Sequence, residues 1–425
     1  MKQRTIIILF FFILFINSCE IEKDKNSQTL SSQENVSNIQ INQEQIIDEA
    51  LPVEAHIKAI IPLETNNESI INNYFKLAFN RDKILILDAM NIMSASRKGQ
   101  VLMFDTLGNF IQAVGRNGKG PKEYLTPMNL QVGPRGEIHI YCNAKSSILS
   151  YDSNGNFLTT IKLPYKTPYF AKLSNGDVMF EYLHKNSDFK IGKYKQSKDT
   201  IEYYLPLSNQ IKDAMFYTSI NPELGFTLFN GHYYFCPQKS NQIYKLVDGI
   251  PIVQYNLDIA GFEYYLPPHP KNLSSKENNK IFEIQKLKKY KSKGKDQLEA
   301  ITYLQSNMYD KINFFFNWGG PLYTILREKE SGRIIVGSIT QSEPRNNLVD
   351  ISNLLLFYAK STTSDGEFVA ALKTEDFKNL AKIYLELPEN KLNRLCFNPK
   401  KLNEIANSRD AWSNHVLVVF SLENV

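Results

Sequence analysis

Two stretches of the chain repeat one pattern of apolar and polar positions at an offset of 47 residues. Residues 101–111 read VLMFDTLGNFI and residues 148–158 read ILSYDSNGNFL, so Asp, Gly, Asn and Phe recur at matching positions. In each copy an apolar run leads into an Asp-x-x-Gly turn and a second apolar run follows, which is typical of a β-hairpin with glycine at a positive φ. Weaker copies occur at residues 243–249 and 322–332. The pattern predicts many short antiparallel strands.

A second type of hairpin precedes each of these repeats. Four of the five intervals between its turns are 40 to 56 residues long, which is the length of a four-stranded propeller blade. The turns are predicted at Arg81-Asp82, Arg135-Gly136, Asn175-Gly176, Asn230-Gly231, Tyr309-Asp310 and Asp365-Gly366. Six turns predict an all-β fold, namely a six-bladed β-propeller of four-stranded antiparallel blades with small helical insertions.

Two segments replace the strand pattern with helical periodicity. Residues from about 268 to 300 are charged, with Ile281, Ile284 and Leu287 three residues apart, and their lysines are expected on a solvated helix face. Residues from about 374 to 410 form the second predicted insertion, in blade six, with Thr374 as its N-cap.

The two ends of the predicted propeller complement each other. Residues 416–420 form a third strand of blade six with no fourth strand after it, whereas residues 57–62 resemble the fourth-strand sequence at 160–164. The N-terminal strand is therefore predicted to complete the last blade, because ring closure removes an exposed sheet edge. The propeller would then span residues 53–425.

The first residues have the parts of a secretory leader. Lys2 and Arg4 precede an apolar run over residues 6–16, which is too short to cross a bilayer. The sequence Ile16-Asn17-Ser18-Cys19 resembles a bacterial lipobox, so residues 1–18 are predicted as a signal peptide and Cys19 as the lipidated N-terminus. An ordinary signal peptide with a coincidental cysteine is the alternative. Residues 19–52 are polar and are predicted as a flexible tether.

The composition narrows the class of protein without indicating a ligand. With 43% hydrophobic and 22% charged residues, the chain is an ordinary globular protein rather than a disordered or polytopic membrane protein. The net charge of +5 falls to about +3 without the leader, which gives no indication of nucleic-acid binding. Cys142, Cys236 and Cys396 are too few to pair fully and are expected to be unpaired.

The loop after the first repeated hairpin carries a family resemblance. Residues 115–124 read GRNGKGPKEY. Together with the lipobox and the blade pattern, this segment resembles the six-bladed β-propeller lipoproteins of Bacteroidetes, whose first long loop commonly reads Gly-Arg-x-Gly-x-Gly-Pro-x-Glu-Tyr. A related group of TolB-like propeller lipoproteins is the second choice. The resemblance implies a propeller in the cell envelope, often an outer-membrane lipoprotein, and it provides no catalytic residues to carry over.

Motifs of enzymes and metal sites are not recognisable in the sequence. The six histidines form no His-x-His or His-Glu-x-x-His pair, and there is no Gly-x-Ser-x-Gly motif. The glycines of residues 115–120 are not followed by the Gly-Lys-Ser/Thr of a phosphate-binding loop. His139 and His232 are expected to pack on second strands. No cofactor and no metal are therefore predicted, and a monomer is expected.

The candidate binding residues are cations on one face of the propeller, where the second-to-third-strand loops and the loops between blades emerge. They are Arg97, Lys98, Arg116, Lys119, Lys122, Lys145, Lys185 and Lys239, with Trp318 as an aromatic ring for stacking on a sugar. This set predicts recognition of an anionic ligand such as an acidic glycan. In the alternative interpretation, Glu123 and Tyr124 are internal struts and the motif only fixes a loop.

The function predicted from these patterns is a membrane-anchored envelope lipoprotein, periplasmic or surface-facing, that acts as a non-catalytic binding or interaction module. Its partner would be a glycan or an envelope protein, with no nucleic acid. The alternative is a propeller-type carbohydrate-active hydrolase or lyase. Two carboxylates beside a deep pocket would favour the enzyme, whereas a shallow basic or aromatic face would favour the binding module.

Overall fold

The computed structural model describes residues 36–46, 49–71, 74–88, 99–182, 187–207, 225–238, 240–259, 298–316, 322–339, 347–410 and 412–424. Within these residues, short runs of β-branched and aromatic residues form 25 strands. The strands are β1 (Ser37–Ile41), β2 (Val53–Pro62), β3 (Tyr74–Asn80), β4 (Lys83–Asp88), β5 (Gln100–Asp105), β6 (Phe110–Ala113), β7 (Pro127–Val132), β8 (Ile138–Cys142), β9 (Ser147–Tyr151), β10 (Phe157–Lys162), β11 (Phe170–Lys172), β12 (Val178–Glu181), β13 (Phe189–Lys195), β14 (Thr200–Pro206), β15 (Gly225–Phe229), β16 (His232–Cys236), β17 (Gln242–Val247), β18 (Ile250–Ile259), β19 (Leu298–Gln305), β20 (Tyr309–Phe316), β21 (Leu322–Glu328), β22 (Ile334–Ile339), β23 (Ala359–Thr362), β24 (Phe368–Leu372) and β25 (Val416–Asn424).

The strands form six sheets, and each sheet contains the four antiparallel strands of one propeller blade. The sheet of blade four has a fifth strand, β1, at its edge. Blades one to five contain β3–β6, β7–β10, β11–β14, β15–β18 and β19–β22, whereas blade six is assembled from β23, β24, β25 and β2. Buried side chains pack between neighbouring blades, as Leu85 of blade one and Leu130 of blade two do in one apolar cluster. The predicted six-bladed β-propeller is confirmed.

The N-terminal strand closes the ring as the sequence predicts. Strand β2 pairs antiparallel with β25, placing Ile57 opposite Phe420 and Ile61 opposite Leu417. All four of these side chains are buried. The first and last strands of the propeller therefore share one blade, and the ring is closed by chain ends that are far apart in sequence.

Four helices lie beside blade six in the described part of the chain. They are α1 (Leu348–Tyr358), α2 (Thr374–Leu385), α3 (Glu389–Leu395) and α4 (Pro399–Ser408). Helices α2 to α4 lie between the second and third strands of the blade, where the sequence predicts an insertion. Thr374 is the first residue of α2 rather than its N-cap, which is Lys373. The other predicted insertion, at about 268–300, lies outside the described residues up to the start of β19 at Leu298.

Residues of the helices and of the segment between α3 and α4 form hydrogen bonds with backbone groups on the outer edge of β2. The Ser352 hydroxyl accepts a hydrogen bond from the backbone N–H of Ala55 at 2.9 Å, and the Tyr384 hydroxyl donates to the carbonyl of Ala55 at 2.5 Å. The N–H of Phe397 donates to the carbonyl of Ile57 at 3.0 Å. An edge strand with its backbone groups paired in this way is not available for pairing with another chain.

Part of the predicted tether is ordered against the propeller. Strand β1 pairs in parallel with β18 on the outer edge of blade four, and Ile39 and Ile41 are buried there. Further along, the carbonyl of Glu49 accepts from Ser338 N–H at 2.8 Å, and the backbone of Leu51 bonds to the Asn353 side chain. A flexible tether was predicted for these residues because their overall composition is polar. Ile39 and Ile41 nevertheless alternate with polar residues, which is the pattern of a strand with one buried face.

The two repeated hairpins fold with the same hydrogen bonds. Oδ1 of Asp105 accepts from the backbone N–H groups of Leu107 at 2.9 Å and Asn109 at 2.8 Å. Asp152 makes the same two bonds to the residues two and four positions after it, both at 2.8 Å. The glycine of each turn has a φ of +93° or +83°, which L side chains rarely adopt. The Asp-x-x-Gly repeat is therefore a device that fixes a turn.

One predicted turn lies elsewhere. Strand β20 already begins at Tyr309, and the chain reverses just before it, where Ser306 N–H donates to the Tyr309 carbonyl at 2.8 Å. Asp310 is not a turn residue, because its carboxylate is buried and accepts from the hydroxyls of Tyr255 and Tyr303, each at 2.8 Å. A buried aspartate with tyrosine partners is indistinguishable in sequence from a turn aspartate.

Candidate functional site

The loop of residues 115–124 has its own carboxylate at its centre. Glu123 accepts hydrogen bonds from Nε of Arg116 at 2.6 Å and from the N–H of Gly120 at 2.8 Å. These bonds, first the one from Gly120 and then the one from Arg116, lower the pKa of the Glu123 carboxyl. Arg116 is thus neutralised within its own loop, although its side chain is 81% exposed.

Tyr124 and Lys145 stabilise this loop through hydrogen bonds, Tyr124 from a buried position and Lys145 from blade two. The buried Tyr124 hydroxyl donates to the carbonyl of Val114 at 3.0 Å and accepts from Val101 N–H at 3.2 Å, and burial raises its pKa to about 12. Nζ of Lys145 donates to the carbonyls of Gly120 at 2.5 Å and Glu123 at 2.6 Å. The interpretation of Glu123 and Tyr124 as struts therefore describes this loop.

The remaining predicted cations divide into two groups. Lys119 is exposed, and Nζ of Lys122 lies 5.4 Å from the ring centroid of Phe157. Five predicted site residues lie outside the described residues: Arg97, Lys98, Lys185, Lys239 and Trp318. Among the described cations, the structure brings Arg116 and Lys145 together around Glu123, where Arg116 bonds to the carboxylate and Lys145 bonds to backbone carbonyls of the loop.

The inner strands carry polar side chains that bridge from blade to blade. Nζ of Lys76 donates to Oδ1 of Asn129 at 2.8 Å, and Nδ2 of Asn129 donates to the carbonyl of Pro168 at 2.5 Å. Gln131 donates to the carbonyl of Phe170 on the next blade. Burial lowers the pKa of the Lys76 amine to about 8. These hydrogen bonds pair backbone carbonyls of the neighbouring blades, so the polar side chains on the inner strands have a structural role.

A buried histidine and serine also lie within hydrogen-bond distance. Nδ1 of His139 is 2.9 Å from Oγ of Ser150, and each residue is 1% exposed. Burial, followed by the nearby Lys172, lowers the pKa of His139 to about 3. A nucleophile must be reached by its substrate, and Ser150 is almost completely buried, so the geometry favours a packing role for this pair. The packing role predicted for His139 agrees with this geometry, whereas His232, expected to pack in the same way, is exposed at the start of β16.

The cysteines and acidic residues indicate no metal centre in the described ranges. Cys142, Cys236 and Cys396 are free and buried, as predicted. Burial raises the pKa of the Cys396 thiol, which disfavours the thiolate that binds metals. Within residues 36–424, apart from the undescribed gaps, no group of three or more His, Cys, Asp or Glu side chains is placed to hold a metal ion.

An open cleft lies between blades six and one, at the end of the blades where the tight hairpin turns emerge. Its volume is about 510 Å³. Strand β2 forms one wall, the two turns of blade one form another, and the first turn of blade six forms the third. The lining residues are Lys58, Ala59, Ile61, Phe79, Arg81, Thr106, Thr363, Ser364, Asp365, Glu367 and Val419.

The floor of the cleft is apolar and its rim carries charges of both signs. Burial, together with Asp365, raises the pKa of the Glu367 carboxyl, and Lys58 partly opposes this shift. Within the described residues, no ion pair within 4.0 Å joins Arg81 to Asp365 or Glu367. The charged groups of the cleft therefore keep hydrogen-bonding capacity that the loop of residues 115–124 has used internally.

The turn that forms one wall of the cleft is held rigidly. Thr363 N–H donates to the Glu367 carbonyl at 2.9 Å, and Gly366 N–H donates to the Thr363 carbonyl at 3.0 Å. Asn307 of blade five donates its backbone N–H to the Gly366 carbonyl at 2.9 Å and its side-chain amide to the Asp365 carbonyl at 2.5 Å. The carboxylates are therefore presented on a fixed backbone.

Sequence reasoning did not find this cleft. Its residues come from β2, from two turns of blade one and from a turn of blade six, which lie far apart along the chain. The one available signal was Arg81 in a tight turn, a position where asparagine and glycine are usual.

Comparisons with known proteins agree with the fold. The family described as a domain of unknown function (DUF4934) matches residues 55–421. No curated protein matches the chain. A Bacteroides fragilis protein described as exported is 16% identical, with a TM-score of 0.65 over 91% of this chain and 99% of that chain. At this identity the likeness shows the fold alone.

Two further solved structures are more distant. A member of the duf4221 family from Bacteroides vulgatus is 13% identical, with a TM-score of 0.47 over 89% of this chain and 100% of that chain. Virginiamycin B lyase from Staphylococcus aureus is 14% identical, with a TM-score of 0.35 over 73% of this chain and 80% of that chain. Similarity at this level supports no argument about activity.

Proposed function

We propose that this chain, which belongs to the DUF4934 family, is a non-catalytic binding module of the cell envelope that holds a polar ligand, such as a glycan, in the cleft between blades six and one. The observation that carries the proposal is the cleft itself. Its volume of about 510 Å³ lies within the range of small-molecule sites, roughly 300–1,000 Å³.

The chemistry of the cleft suits a hydroxyl-rich ligand. The half-buried ring of Phe79 and the side chains of Ile61 and Val419 offer an apolar surface for the face of a sugar ring. The carboxylates of Asp365 and Glu367 accept hydrogen bonds from hydroxyl groups, which is how protein sites commonly fix an otherwise uncharged polar ligand.

Binding is tested on a glycan array with the chain from residue 20 onward. The informative variant is Ser364→Trp, because Ser364 is an exposed cleft residue and a large ring there fills the space. Its matched control is Ser174→Trp in blade three, in a turn with the same backbone bonds as the blade-six turn, at 2.9 and 3.0 Å. The proposal expects Ser364→Trp to abolish binding while Ser174→Trp leaves it intact. Equal binding by both variants would refute the cleft as the site.

The envelope location is part of the proposal. It is supported by the leader and lipobox of the sequence and by the description of a similar fold as exported. No helix in the described ranges combines the length and the apolar character needed to span a bilayer. Cys19→Ala should move the protein from the membrane fraction to the soluble fraction of cells, and a variant that stays in the membrane fraction would contradict the lipid anchor.

One observation favours a second candidate function, a carbohydrate-active hydrolase or lyase. Asp365 and Glu367 line the same cleft, and the raised pKa of Glu367 is the property required of a general acid. Release of new reducing ends or unsaturated products from an array-positive glycan, lost in Glu367→Gln, would establish the enzyme. Binding of a glycan without release of products would favour the non-catalytic binding module.

A further inference from the structure

Arg81 stands at a backbone position that does not favour arginine. It is the first residue of the two-residue turn between β3 and β4, and its φ is +54°. Among non-glycine residues, asparagine and aspartate adopt this left-handed conformation most readily. The chain follows that preference at comparable turns, with Asn230 at +47° and Asp248 at +52°. Arginine at this position is therefore not explained by the turn.

The side chain of Arg81 is exposed and lines the cleft. Within the described residues it has no ion pair within 4.0 Å, whereas the arginine in the corresponding turn of blade two, Arg135, lies 2.6 Å from Glu137. Two arginines thus occupy the first turns of neighbouring blades, and within the described residues only Arg81 lacks an ion pair and lies beside an open cavity.

We propose that Arg81 is the anion-recognition residue of the cleft, and that the ligand class is an acidic saccharide whose carboxylate binds the guanidinium while its hydroxyls bind Asp365 and Glu367. This inference rests on the proposed function and specifies its ligand. The planar fork of arginine forms two parallel hydrogen bonds with a carboxylate, which a lysine at this position would not reproduce. Asp365 and Glu367, on the turn of blade six, are placed to accept from hydroxyl groups and to repel a second anionic group.

The experiment compares trigalacturonate with its methyl ester, two probes that differ in the charge of the carboxyl groups. Calorimetry with the chain from residue 20 onward measures both affinities. Wild-type protein should bind the acid at least about tenfold more tightly than the ester, the effect expected for a charge-assisted hydrogen-bond pair. Arg81→Asn should remove this preference, and Arg81→Lys should remove most of it.

The controls separate recognition from folding. Arg135→Asn makes the same change at the arginine of blade two, which is ion-paired with Glu137, and should leave both affinities unchanged. Arg81→Asn should melt at or above the wild-type temperature, since asparagine suits the turn. Retained acid preference in Arg81→Asn, or wild-type preference for the ester, would overturn the inference. Binding of neutral glycans with no acid binding would also overturn it while leaving the proposed function, and binding of no glycan would overturn both.

Discussion

The loop of residues 115–124 and the cleft between blades six and one are both rich in charge, yet they use it differently. In the loop, Glu123 is bonded to Arg116 and to Gly120, and Lys145 is bonded to two loop carbonyls. In the cleft, Arg81 has no ion pair within the described residues, and the carboxylate of Glu367 is partly desolvated beside Asp365. Charge that is satisfied internally stabilises a fold, whereas unsatisfied charge at a cavity is available to a ligand.

The two regions contain the same kind of side chain in opposite states. The pKa of Glu123 is lowered by hydrogen bonds to its ionised form, and the pKa of Glu367 is raised by burial. A carboxylate with a lowered pKa has its charged form stabilised by the folded protein, and one with a raised pKa has it destabilised. The two carboxyl groups therefore differ in the direction of their pKa shifts, and the cause is hydrogen bonding in the loop and burial in the cleft.

The largest expected effect comes from removing the wall of the cleft that β2 provides. Deletion through residue 64 exposes the surfaces that bury Val53, Ile57, Ile60 and Ile61. Burial of each contributes roughly 1.5–3 kcal/mol, so the loss approaches a total stability of about 5–15 kcal/mol. We expect no cooperative thermal transition in this truncation, measured by circular dichroism.

Two shorter truncations serve as controls. Deletion through residue 35 removes no described contact and should keep the wild-type melting temperature. Deletion through residue 52 also removes β1 with the buried Ile39 and Ile41, and should lower the melting temperature while keeping the protein folded. Equal melting temperatures for all three truncations would show that β1 does not stabilise blade four and that β2 does not close the propeller.

Replacement of Tyr124 tests the loop by itself. Tyr124 is 0% exposed, and Tyr124→Ala should destabilise the protein by about 3–5 kcal/mol because a large buried ring is lost. Tyr124→Phe removes only the bonds to Val101 and Val114 and should cost about 1–2 kcal/mol. Urea unfolding measures both. A stability loss in Tyr124→Ala no larger than in Tyr124→Phe would contradict the role of the ring as a strut.

A smaller effect is expected for the cations of the loop. Lys145→Gln breaks the two bonds to the Gly120 and Glu123 carbonyls and should lower stability by about 1–2 kcal/mol. Lys119→Gln, in the exposed part of the same loop, should have no measurable effect. Neither change should alter ligand affinity. A loss of ligand affinity in Lys145→Gln with unchanged stability would instead indicate that Lys145 binds the ligand.

Much of the fold was predictable because its information is local and repeated. The Asp-x-x-Gly hairpin occurs in blades one and two, with weaker copies in blades four and five. The strand at residues 416–420 has no fourth strand after it, and residues 57–62 resemble the fourth strand of another blade. Strand β1 was missed, since only Ile39 and Ile41 mark it and its partner β18 lies more than 200 residues away. Two alternating isoleucines are too few to distinguish a strand from a polar linker.

The candidate site was less predictable than the fold. The sequence located Arg116 and Lys145 on loops, but it could not show that the Glu123 carboxylate accepts from Arg116 and that two backbone carbonyls accept from Lys145. The cleft depends on segments of β2, of blade one and of the rest of blade six, which meet only after β2 completes blade six beside blade one. Tertiary contacts determine which cations remain unpaired. A cation that is paired within the fold has a structural role, whereas an unpaired cation is available to bind a ligand.

The most direct test of the account is the thermal stability of two matched variants, Glu123→Gln and Glu367→Gln, measured between pH 3 and pH 7 without ligand. The lowered pKa of Glu123 adds stability above its unfolded value of 4.5 that disappears as the pH falls, so Glu123→Gln should melt below wild type at pH 7 and approach it at pH 3. The raised pKa of Glu367 makes its ionisation unfavourable as the pH rises past 4.5, so Glu367→Gln should melt at or above wild type at pH 7 and match it at low pH. Shifts of opposite sign at pH 7 are the predicted result. A loss of stability in Glu367→Gln equal to that in Glu123→Gln would contradict the distinction between a self-satisfied loop and an open cleft.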